Sequence, residues 1–256
     1  MITTVVNSFK GGTAKTSTVL HVGAALAKFH NQKVLLIDFD SQANLTTGLG
    51  FGCDSLDTMV PVLQGDKLIA NVIKETSVPN LFLIPANTYL DGVERTTPII
   101  SDSYNHERLR KALRTLNFDH CLIDVPPNLS WLTQSAYYAS DYSMLAITPE
   151  PYSVLALNRL AKFHTVINEN HPIKLIGILM SLWDSRSMTN EAFLDGVEKV
   201  FPQKILNTRV RRDVAVSRSI FQGKPVFDAF PKSRVVEDYK NLTAELMERY
   251  SIQKRT

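Results

Sequence analysis

Short apolar runs alternate along the chain with longer segments in which apolar residues recur every three or four positions. Apolar runs bounded by polar residues are typical of strands buried on both faces of a parallel sheet, and the longer spacing is typical of amphipathic helices. The pattern predicts strands at residues 2–6, 33–38, 80–84, 119–124, 142–148, 174–180 and 204–208. It predicts helices at residues 16–30, 105–117, 129–139, 153–169, 188–200, 213–221 and 234–250.

The order of these elements indicates one fold class. Strands that alternate with helices form a mostly parallel sheet with helices on both faces. We therefore expect a single doubly wound α/β domain over residues 1–256, with residues 85–103 as an irregular connection. Hydrophobic residues make up 44% of the 256 residues, which is enough to form a large core.

A glycine-containing loop joins the first predicted strand to the first predicted helix. It reads Asn7-Ser8-Phe9-Lys10-Gly11-Gly12-Thr13-Ala14-Lys15-Thr16-Ser17. The backbone N–H groups of such a loop point inward at a helix N-terminus, where the helix dipole adds about half a positive charge. Lys15 would reach the β- and γ-phosphates, and the Thr16 hydroxyl would hold Mg²⁺. The sequence therefore predicts a nucleoside triphosphate site.

The loop departs from the usual phosphate-loop pattern, G-x-x-x-x-G-K-[ST]. Phe9 and Ala14 occupy its two glycine positions, and Lys10 precedes Gly11 and Gly12 instead. This arrangement is the deviant Walker A motif, K-G-G-x-G-K-[ST], with its last glycine changed to alanine. An ordinary Gly-Gly turn ahead of a helix is the alternative, and acids at the ends of later strands argue against it.

Acidic residues stand at the ends of two further apolar strands. Asp38 and Asp40 lie at the end of the second predicted strand, and Asp124 ends the fourth, just ahead of Pro126 and Pro127. Ligands of open α/β sheets bind at the carboxyl ends of strands, where an aspartate can hold Mg²⁺ directly or through a water. One such residue alone is more often a loop aspartate or a helix cap. Three in chain order favour a nucleotide site.

Cysteine and histidine usage gives no metal or disulfide framework. Cys53 and Cys121 are the only cysteines, and the six histidines show no ligand spacing. No apolar segment reaches about 18 residues, and no secretory leader is recognisable. We expect a cytoplasmic protein.

Basic residues concentrate in the last third of the chain. Residues 1–185 contain 14 Lys/Arg and 16 Asp/Glu, whereas residues 186–256 contain 14 Lys/Arg and 9 Asp/Glu. Within residues 204–235 eight basic residues stand against Asp213 and Asp228. Such a concentration is typical of a surface that binds polyanions, and a solvated charged surface is the alternative.

Taken together, these motifs resemble those of the ParA-type partition ATPases, a group that includes Soj and, more distantly, MinD. The motifs that carry the resemblance are Lys10 to Ser17, then Asp38, Asp40, Gln42 and Asn44, then Asp124, Pro126 and Pro127. The segments at residues 148–153, 184–186, 211–213, 223–225 and 233–234 are also similar to ParA, so the likeness runs nearly end to end. Within the group, the motifs also resemble those of the ParA-like proteins of chlamydiae.

The resemblance implies a P-loop fold, ATP and Mg²⁺ as cofactors, and a homodimer that encloses two ATP molecules. Lys10 would reach into the opposite site, and Asp40 would position the attacking water. Thr16 and Asp124, the latter through a water, would govern Mg²⁺. The implied catalytic set is Lys10, Lys15, Asp40 and Asp124. The implied nucleotide-binding set has eight phosphate-binding residues, Lys10, Gly11, Gly12, Thr13, Ala14, Lys15, Thr16 and Ser17, and two residues beside the base, Arg211 and Asp213. Hydrolysis would be slow, and a ParB-like partner would accelerate it.

The resemblance also implies that the ATP-bound dimer binds double-stranded DNA without sequence preference, which would place it on the bacterial nucleoid. Arg186 matches the family's DNA-contacting arginine, and the candidate DNA contacts are Arg186, Arg212, Arg218, Lys232 and Arg234. We expect no separate helix-turn-helix domain ahead of the loop, so binding would be to backbone phosphates and sensitive to salt.

Two departures from the family pattern affect these expectations. Glycine at the position of Ala14 usually serves a backbone conformation that alanine disfavours, so we expect nucleotide binding to survive and hydrolysis to be more at risk. Arg211 and Asp213 stand where the family has a proline and an asparagine that border the adenine. Preference for adenine over guanine is less secure for that reason.

Three other functions remain as alternatives. One is a MinD-like regulator of division that cycles on membranes, although the apolar stripe of the C-terminal helix is more typical of core packing, so we expect no membrane partner. Another is a metabolic enzyme similar to dethiobiotin synthetase, against which the Lys10 signature argues. The third is a nucleotide-binding switch with little hydrolysis, which Ala14 favours.

Overall fold

Successive residues of the central strands face opposite sides of one sheet. In the computed structural model, which describes residues 1–8, 10–150 and 153–253, Val5 and Leu35 belong to one buried cluster. Their neighbours Val6 and Leu36 belong to a second cluster on the other face. Because side chains alternate along a strand, a sheet covered on both faces produces the continuous apolar runs seen in the sequence.

Within the described residues the sheet contains eight strands. They are β1 (Ile2–Asn7), β2 (Val34–Asp38), β3 (Lys74–Glu75), β4 (Leu81–Ile84), β5 (His120–Asp124), β6 (Tyr142–Ile147), β7 (Lys174–Trp183) and β8 (Ile205–Arg211). Their spatial order is β3-β4-β2-β5-β1-β6-β7-β8, and all neighbours are parallel except β3 and β4. The predicted doubly wound, mostly parallel sheet is confirmed.

Helices cover both faces of the sheet. The α-helices are α1 (Lys15–His30), α2 (Asn44–Gly48), α3 (Met59–Gln64), α4 (Thr97–Ile100), α5 (Arg108–Leu113), α6 (Trp131–Tyr138), α7 (Ser153–Asn170), α8 (Asn190–Val200), α9 (Val214–Phe221), α10 (Val226–Ala229) and α11 (Arg234–Gln253). Buried residues of α1 and α11 pack on one face, and those of α3, α5 and α6 pack on the other. Residues of α7 and α8 form a third cluster against β6 and β7.

The middle of the chain differs from the prediction. The predicted helix at residues 105–117 begins as a 3₁₀ turn, Asn105–Glu107, and its α-helical part, α5, ends at Leu113. Leu116 then donates from its backbone N–H to the Leu113 carbonyl in a tight turn that leads to β5. Residues 85–103, predicted as irregular, contain the 3₁₀ helices Thr88–Leu90 and Val93–Arg95 and the short α4. Elements of this length carry too few residues to show a period.

The order of the strands brings three loops together. β1 lies between β5 and β6, and β5 separates it from β2, so the carboxyl ends of β1, β5 and β2 are adjacent. Asp38 of β2 is the register partner of Asp124 of β5. Ligands of such sheets bind where the strand order reverses, next to the first strand. This edge therefore holds the candidate site.

Candidate functional site

The loop between β1 and α1 presents an open backbone surface. A Cβ atom added to Gly11 or Gly12 would meet no atom within 4 Å, and Gly12 has a φ of +79°. The loop is anchored at its start, where the Ser8 backbone N–H donates to Asn7 Oδ1 at 2.6 Å. The glycines thus keep the backbone N–H groups accessible to a ligand, as a phosphate cradle requires.

Ala14, the residue immediately before α1, has a left-handed backbone. Its φ is 57° and its ψ is 24°, which is a conformation that glycine adopts freely and alanine does not. The conformation costs an L-residue about 1–2 kcal/mol. The alanine therefore occupies a position whose geometry suits glycine, and the loop keeps that geometry in spite of the substitution.

Two side chains of α1 converge on Asp124 below the loop. Lys15 Nζ donates to Asp124 Oδ1 at 2.6 Å, and Thr16 Oγ1 donates to Asp124 Oδ2 at 2.7 Å. Lys15 is 6% exposed and Asp124 is fully buried. Burial raises the pKa of the Asp124 carboxyl, and the Lys15 ammonium and the Thr16 hydroxyl oppose that shift. A cation, a hydroxyl and a carboxylate therefore meet under the cradle, as in a Mg²⁺–nucleotide site.

Asp38 organises the segment that carries Asp40. Its carboxylate accepts from the Thr46 backbone N–H at 2.8 Å and from Thr46 Oγ1 at 2.7 Å. Burial, followed by the nearby charge of Asp124, raises the pKa of Asp38 to about 7. Asp40, which is 7% exposed, donates from its backbone N–H to Asp38 Oδ1 at 3.3 Å. Asp38 thereby fixes the position of the backbone that carries the Asp40 carboxylate.

A cavity of about 750 Å³ opens over the loop. The residues that line it are Ser8, Lys10, Gly11, Gly12, Thr13, Ala14, Lys15, Thr16, Ser17, Asp40, Gln42, Asn44, Thr47, Pro127, Ile220 and Phe221. All eight predicted phosphate-binding residues and Asp40 therefore border one space. Its volume falls in the range of small-molecule sites, and its donors suit a triphosphate with Mg²⁺.

Some residues of this cavity were missed in the sequence. Ile220 and Phe221 come from the end of α9, and Phe221 is 91% exposed. Nothing in their local sequence indicates a ligand. Gln42 and Asn44 could be predicted as site residues, because they belong to the motif around Asp40. Thr47 lies outside that motif and could not be predicted.

Lys10 has a different ion-pair partner from Lys15, the other basic residue of the loop. Its ammonium pairs with the Glu150 carboxylate, which follows β6, and both side chains are about half exposed. The hydrogen bond from Lys10 lowers the pKa of Glu150. Residues 151 and 152, which belong to the same predicted motif as Glu150, lie outside the described residues.

Arg211 and Asp213, predicted to border the base, do not line the cavity and have partners elsewhere. Arg211 pairs with Asp238 of α11 at 2.6 Å, and Asp213 caps α9 by accepting from the Ala215 backbone N–H at 2.9 Å. Neither is among the described residues that line the cavity. Asp213 does, however, begin the helix whose other end supplies Ile220 and Phe221.

The five candidate DNA contacts, Arg186, Arg212, Arg218, Lys232 and Arg234, are all exposed. We call them the basic surface.

Three of them are linked. Arg186, whose side chain is 88% exposed, pairs with Asp184 at 3.0 Å, and Arg212 lines a small cavity of about 190 Å³ with Asp184. Arg234 donates to the Arg212 carbonyl at 3.0 Å.

Arg218 makes a different contact. Its guanidinium stands over the Phe230 ring, two residues before Lys232. The surface thus has one part around Asp184 and another around Phe230.

Two features are absent from the described part of the chain. No group of three or more His, Cys, Asp or Glu side chains could hold a metal ion there. No helix in that part has both the length and the apolar composition needed to cross a membrane.

Comparison with known proteins supports the predicted resemblance. Residues 1–176 match a family model described as an AAA domain. A ParA family protein of Chlamydia muridarum is 50% identical over 96% of this chain and 98% of its own length. The sporulation initiation inhibitor protein Soj of Bacillus subtilis is 34% identical over 93% of this chain and 94% of its own.

A solved structure shares the fold. Cobyrinic acid a,c-diamide synthase from Mycobacterium smegmatis, crystallised with an ATP analogue and magnesium, superposes with a TM-score of 0.85 at 27% identity. The match covers 98% of this chain and 95% of that one.

Proposed function

This chain belongs to the ParA family of partition ATPases, and from that premise we propose that it is an ATP-driven DNA partition switch. In this proposal ATP joins two copies of the chain, the pair binds double-stranded DNA without sequence preference, and slow hydrolysis separates them. The observation that carries the proposal is the convergence of Lys15, Thr16 and Asp124 beneath an open glycine loop.

The nucleotide would be bound mainly by the loop. The N–H groups of residues 11–17 would donate to the phosphate oxygens, and the buried Lys15 ammonium would move from Asp124 to the β- and γ-phosphates. Thr16 and Asp124 would hold Mg²⁺, Asp124 through a water. Bound Mg²⁺ would neutralise charge that develops on the phosphate oxygens.

Asp40 would orient the water that attacks the γ-phosphate. It borders the cavity, and its backbone is tied to Asp38. The described residues of the cavity include no histidine or other strong base. Catalysis would therefore rest on positioning and electrostatics, and we propose that turnover is slow.

Lys10 would act between subunits. Within one chain it is held by Glu150 at the surface, so only an exposed ion pair must be broken to free it. Exposed ion pairs contribute little to stability, typically below about 1 kcal/mol. Lys10 would then reach the phosphates of the facing copy and make the dimer depend on the triphosphate.

The base would lie toward Ile220 and Phe221. Asp213 caps the same helix, and Arg211 anchors the preceding strand to Asp238, so these two residues would affect the base through the position of α9. This indirect role fits a preference for adenine that is weaker than in relatives with a direct contact.

The basic surface would bind DNA phosphates. A dimer doubles the number of such contacts, so affinity should rise steeply on dimerisation and fall steeply with salt. Arg186 would exchange its bond with Asp184 for a phosphate. We further propose that residues 1–256 act as one ATPase domain in the bacterial cytoplasm, on the nucleoid, with a ParB-like protein that stimulates hydrolysis.

The test is DNA binding with Mg-ATP, Mg-ADP and no nucleotide. We expect the wild-type chain to bind only with Mg-ATP and Lys15→Ala to lose that binding. Asp40→Ala should keep or prolong it, because the triphosphate stays intact. Equal affinity in all three nucleotide conditions would contradict the proposal.

Arg186→Glu tests the basic surface separately. We expect this variant to dimerise with Mg-ATP and to fail on DNA at moderate salt. Arg114→Glu is a matched control, because Arg114 is exposed but lies at the amino-terminal edge of the sheet. The assignment of Arg186 is wrong if the two variants bind DNA equally well.

Ala14 favours a second candidate function. Its left-handed backbone in a loop that must hold phosphates supports a nucleotide-dependent switch with little hydrolysis. Single-turnover measurements of γ-phosphate release distinguish the two functions: release within minutes supports the ATPase, whereas retention of intact ATP over hours supports the switch.

A further inference from the structure

A buried serine contacts the phosphate loop from behind. Ser181, near the end of β7, donates from Oγ to the Thr13 carbonyl at 2.7 Å, and Ile147 offers a second acceptor at 2.9 Å. Ser181 has no exposed surface. Thr13 directly precedes Ala14, so this hydrogen bond holds the peptide whose N–H belongs to the left-handed alanine.

The direction of the Thr13–Ala14 peptide decides what the loop offers a phosphate. With the Thr13 carbonyl turned toward Ser181, the opposite end of the same peptide plane, the Ala14 N–H, points the other way. A rotation of this plane by 180° would turn the Thr13 carbonyl oxygen toward the phosphate side of the loop and the Ala14 N–H away from it. A carbonyl in place of an N–H would repel phosphate oxygens.

Ala14 itself favours that rotation. A half-turn of the preceding peptide would carry its φ from 57° to roughly −120°, which an alanine adopts without the left-handed cost. Glycine would have no such bias, because it adopts both signs of φ about equally. The alanine therefore makes the loop depend on an external contact that opposes the rotation.

We propose that Ser181 is a positioning residue of the nucleotide site, which holds the Thr13–Ala14 peptide in its binding orientation and offsets the backbone preference of Ala14. The inference rests on the proposed nucleotide binding and concerns how this chain tolerates an alanine at that position.

The backbone of β7 is shaped to place this serine. Leu182 has a φ of 51°, and the pairing of β7 with β8 is irregular between Met180 and Trp183. This break lets Trp183 join the same buried cluster as Ile178 and Met180, while Ser181 keeps its hydroxyl toward the loop. A regular strand would put Trp183 on the face of Ser181.

The experiment measures equilibrium binding of a fluorescent ATP analogue with Mg²⁺. We expect Ser181→Ala to weaken affinity about five- to tenfold, since a buried carbonyl loses its donor. Ser181→Cys, whose thiol is somewhat larger and a weaker donor, should fall between Ser181→Ala and wild type. Ser140→Ala is the matched control, because that buried hydroxyl donates to the Ala136 carbonyl at 2.7 Å at the other edge of the sheet. Its affinity should equal that of wild type.

The decisive variant is Ala14→Gly combined with Ser181→Ala. Glycine removes the bias toward rotation, so we expect the double variant to bind within about twofold of Ala14→Gly alone. If Ser181 only stabilised the fold, Ala14→Gly would not rescue the binding of Ser181→Ala. Thermal unfolding of Ser181→Ala and Ser140→Ala without nucleotide compares the effects of the two substitutions on stability.

The inference is overturned if Ser181→Ala binds as tightly as wild type, or if Ala14→Gly fails to restore its binding. Either result leaves the proposed function intact provided that the wild-type chain binds the analogue. A wild-type chain that binds no nucleotide would overturn the proposed function and this inference together.

Discussion

Asp38 and Asp124 occupy partnered positions on neighbouring parallel strands, and both carboxyl groups are fully buried. Two buried carboxylates at one edge repel each other unless each is compensated. Asp124 pairs with the Lys15 ammonium. Asp38 has no such ion pair with any described residue; it accepts two hydrogen bonds from Thr46, and its pKa is raised to about 7. The different partners explain why one acid suits a cation site and the other holds the Asp40 segment.

Lys15 should prove essential for nucleotide binding and important for stability. Lys15→Ala removes the cation from a buried pair and leaves Asp124 without its charge partner, which costs about 3–5 kcal/mol. We expect urea unfolding to show this loss and calorimetry to show no binding of ATP. Lys28→Ala, which breaks an exposed pair with Asp228, should change the free energy of unfolding and the affinity for ATP only slightly.

Ala14→Gly should stabilise the chain. Glycine removes the left-handed cost but gains freedom in the unfolded state, so the net gain is about 1 kcal/mol. This corresponds to a rise of roughly 2–4 °C in the unfolding midpoint. The control is Ala27→Gly inside α1, where the same replacement should lower the midpoint. A fall for both variants would contradict the assigned backbone of residue 14.

Gly223 should tolerate no side chain, because the backbone of Gly50 lies too close to it. Gly92 is a control that has a positive φ without this close approach. A Cβ atom there would lie 2.8 Å from the Gly50 Cα, whereas a Cβ at Gly92, which also has a positive φ, would meet nothing. Both alanine variants carry the strain of a positive φ, but only Gly223→Ala adds a backbone collision that costs about 1–3 kcal/mol more. Chemical denaturation of the two variants measures the difference, and equal losses would refute the contact between Gly50 and Gly223.

His21 should make the chain less stable in acid. Its ring is buried and stacked on Tyr239 at 4.6 Å, and burial lowers its pKa from 6.5 to about 4. Between these values the unfolded chain binds a proton that the folded chain does not, so the free energy of unfolding falls as the pH drops from 6.5 toward 4. At pH 5 the loss is about 2 kcal/mol.

His21→Phe isolates this contribution. Phenylalanine keeps an aromatic ring against Tyr239 and cannot take up a proton, so we expect its unfolding free energy to change less between pH 7.5 and pH 5. The measurement is urea unfolding of both proteins at the two pH values. Parallel losses in wild type and variant would show that His21 does not titrate in this window.

The sequence was sufficient where a local pattern reflects the tertiary environment. Strands buried on both faces appear as apolar runs, so β1, β2 and β5 and the loop that follows β1 were predictable. The acids at strand ends follow because parallel strands share an edge.

Contacts between distant segments were not predictable where no motif joins the two segments. Lys10 and Glu150 are 140 residues apart, and Ser181 and Thr13 are 168 apart. A single sequence carries no signal for such pairs. The exposed Phe221 reaches the cavity only because α9 packs beside α2, which no local period shows.

The most direct measurement of the central claim is the molar mass of the purified chain by sedimentation equilibrium with saturating Mg-ATP and with Mg-ADP, using Asp40→Ala to keep ATP intact. We predict the mass of two chains with Mg-ATP and of one chain with Mg-ADP. The mass of a single chain in both conditions would contradict the claim that triphosphate at Lys15, Thr16 and Asp124 joins two copies.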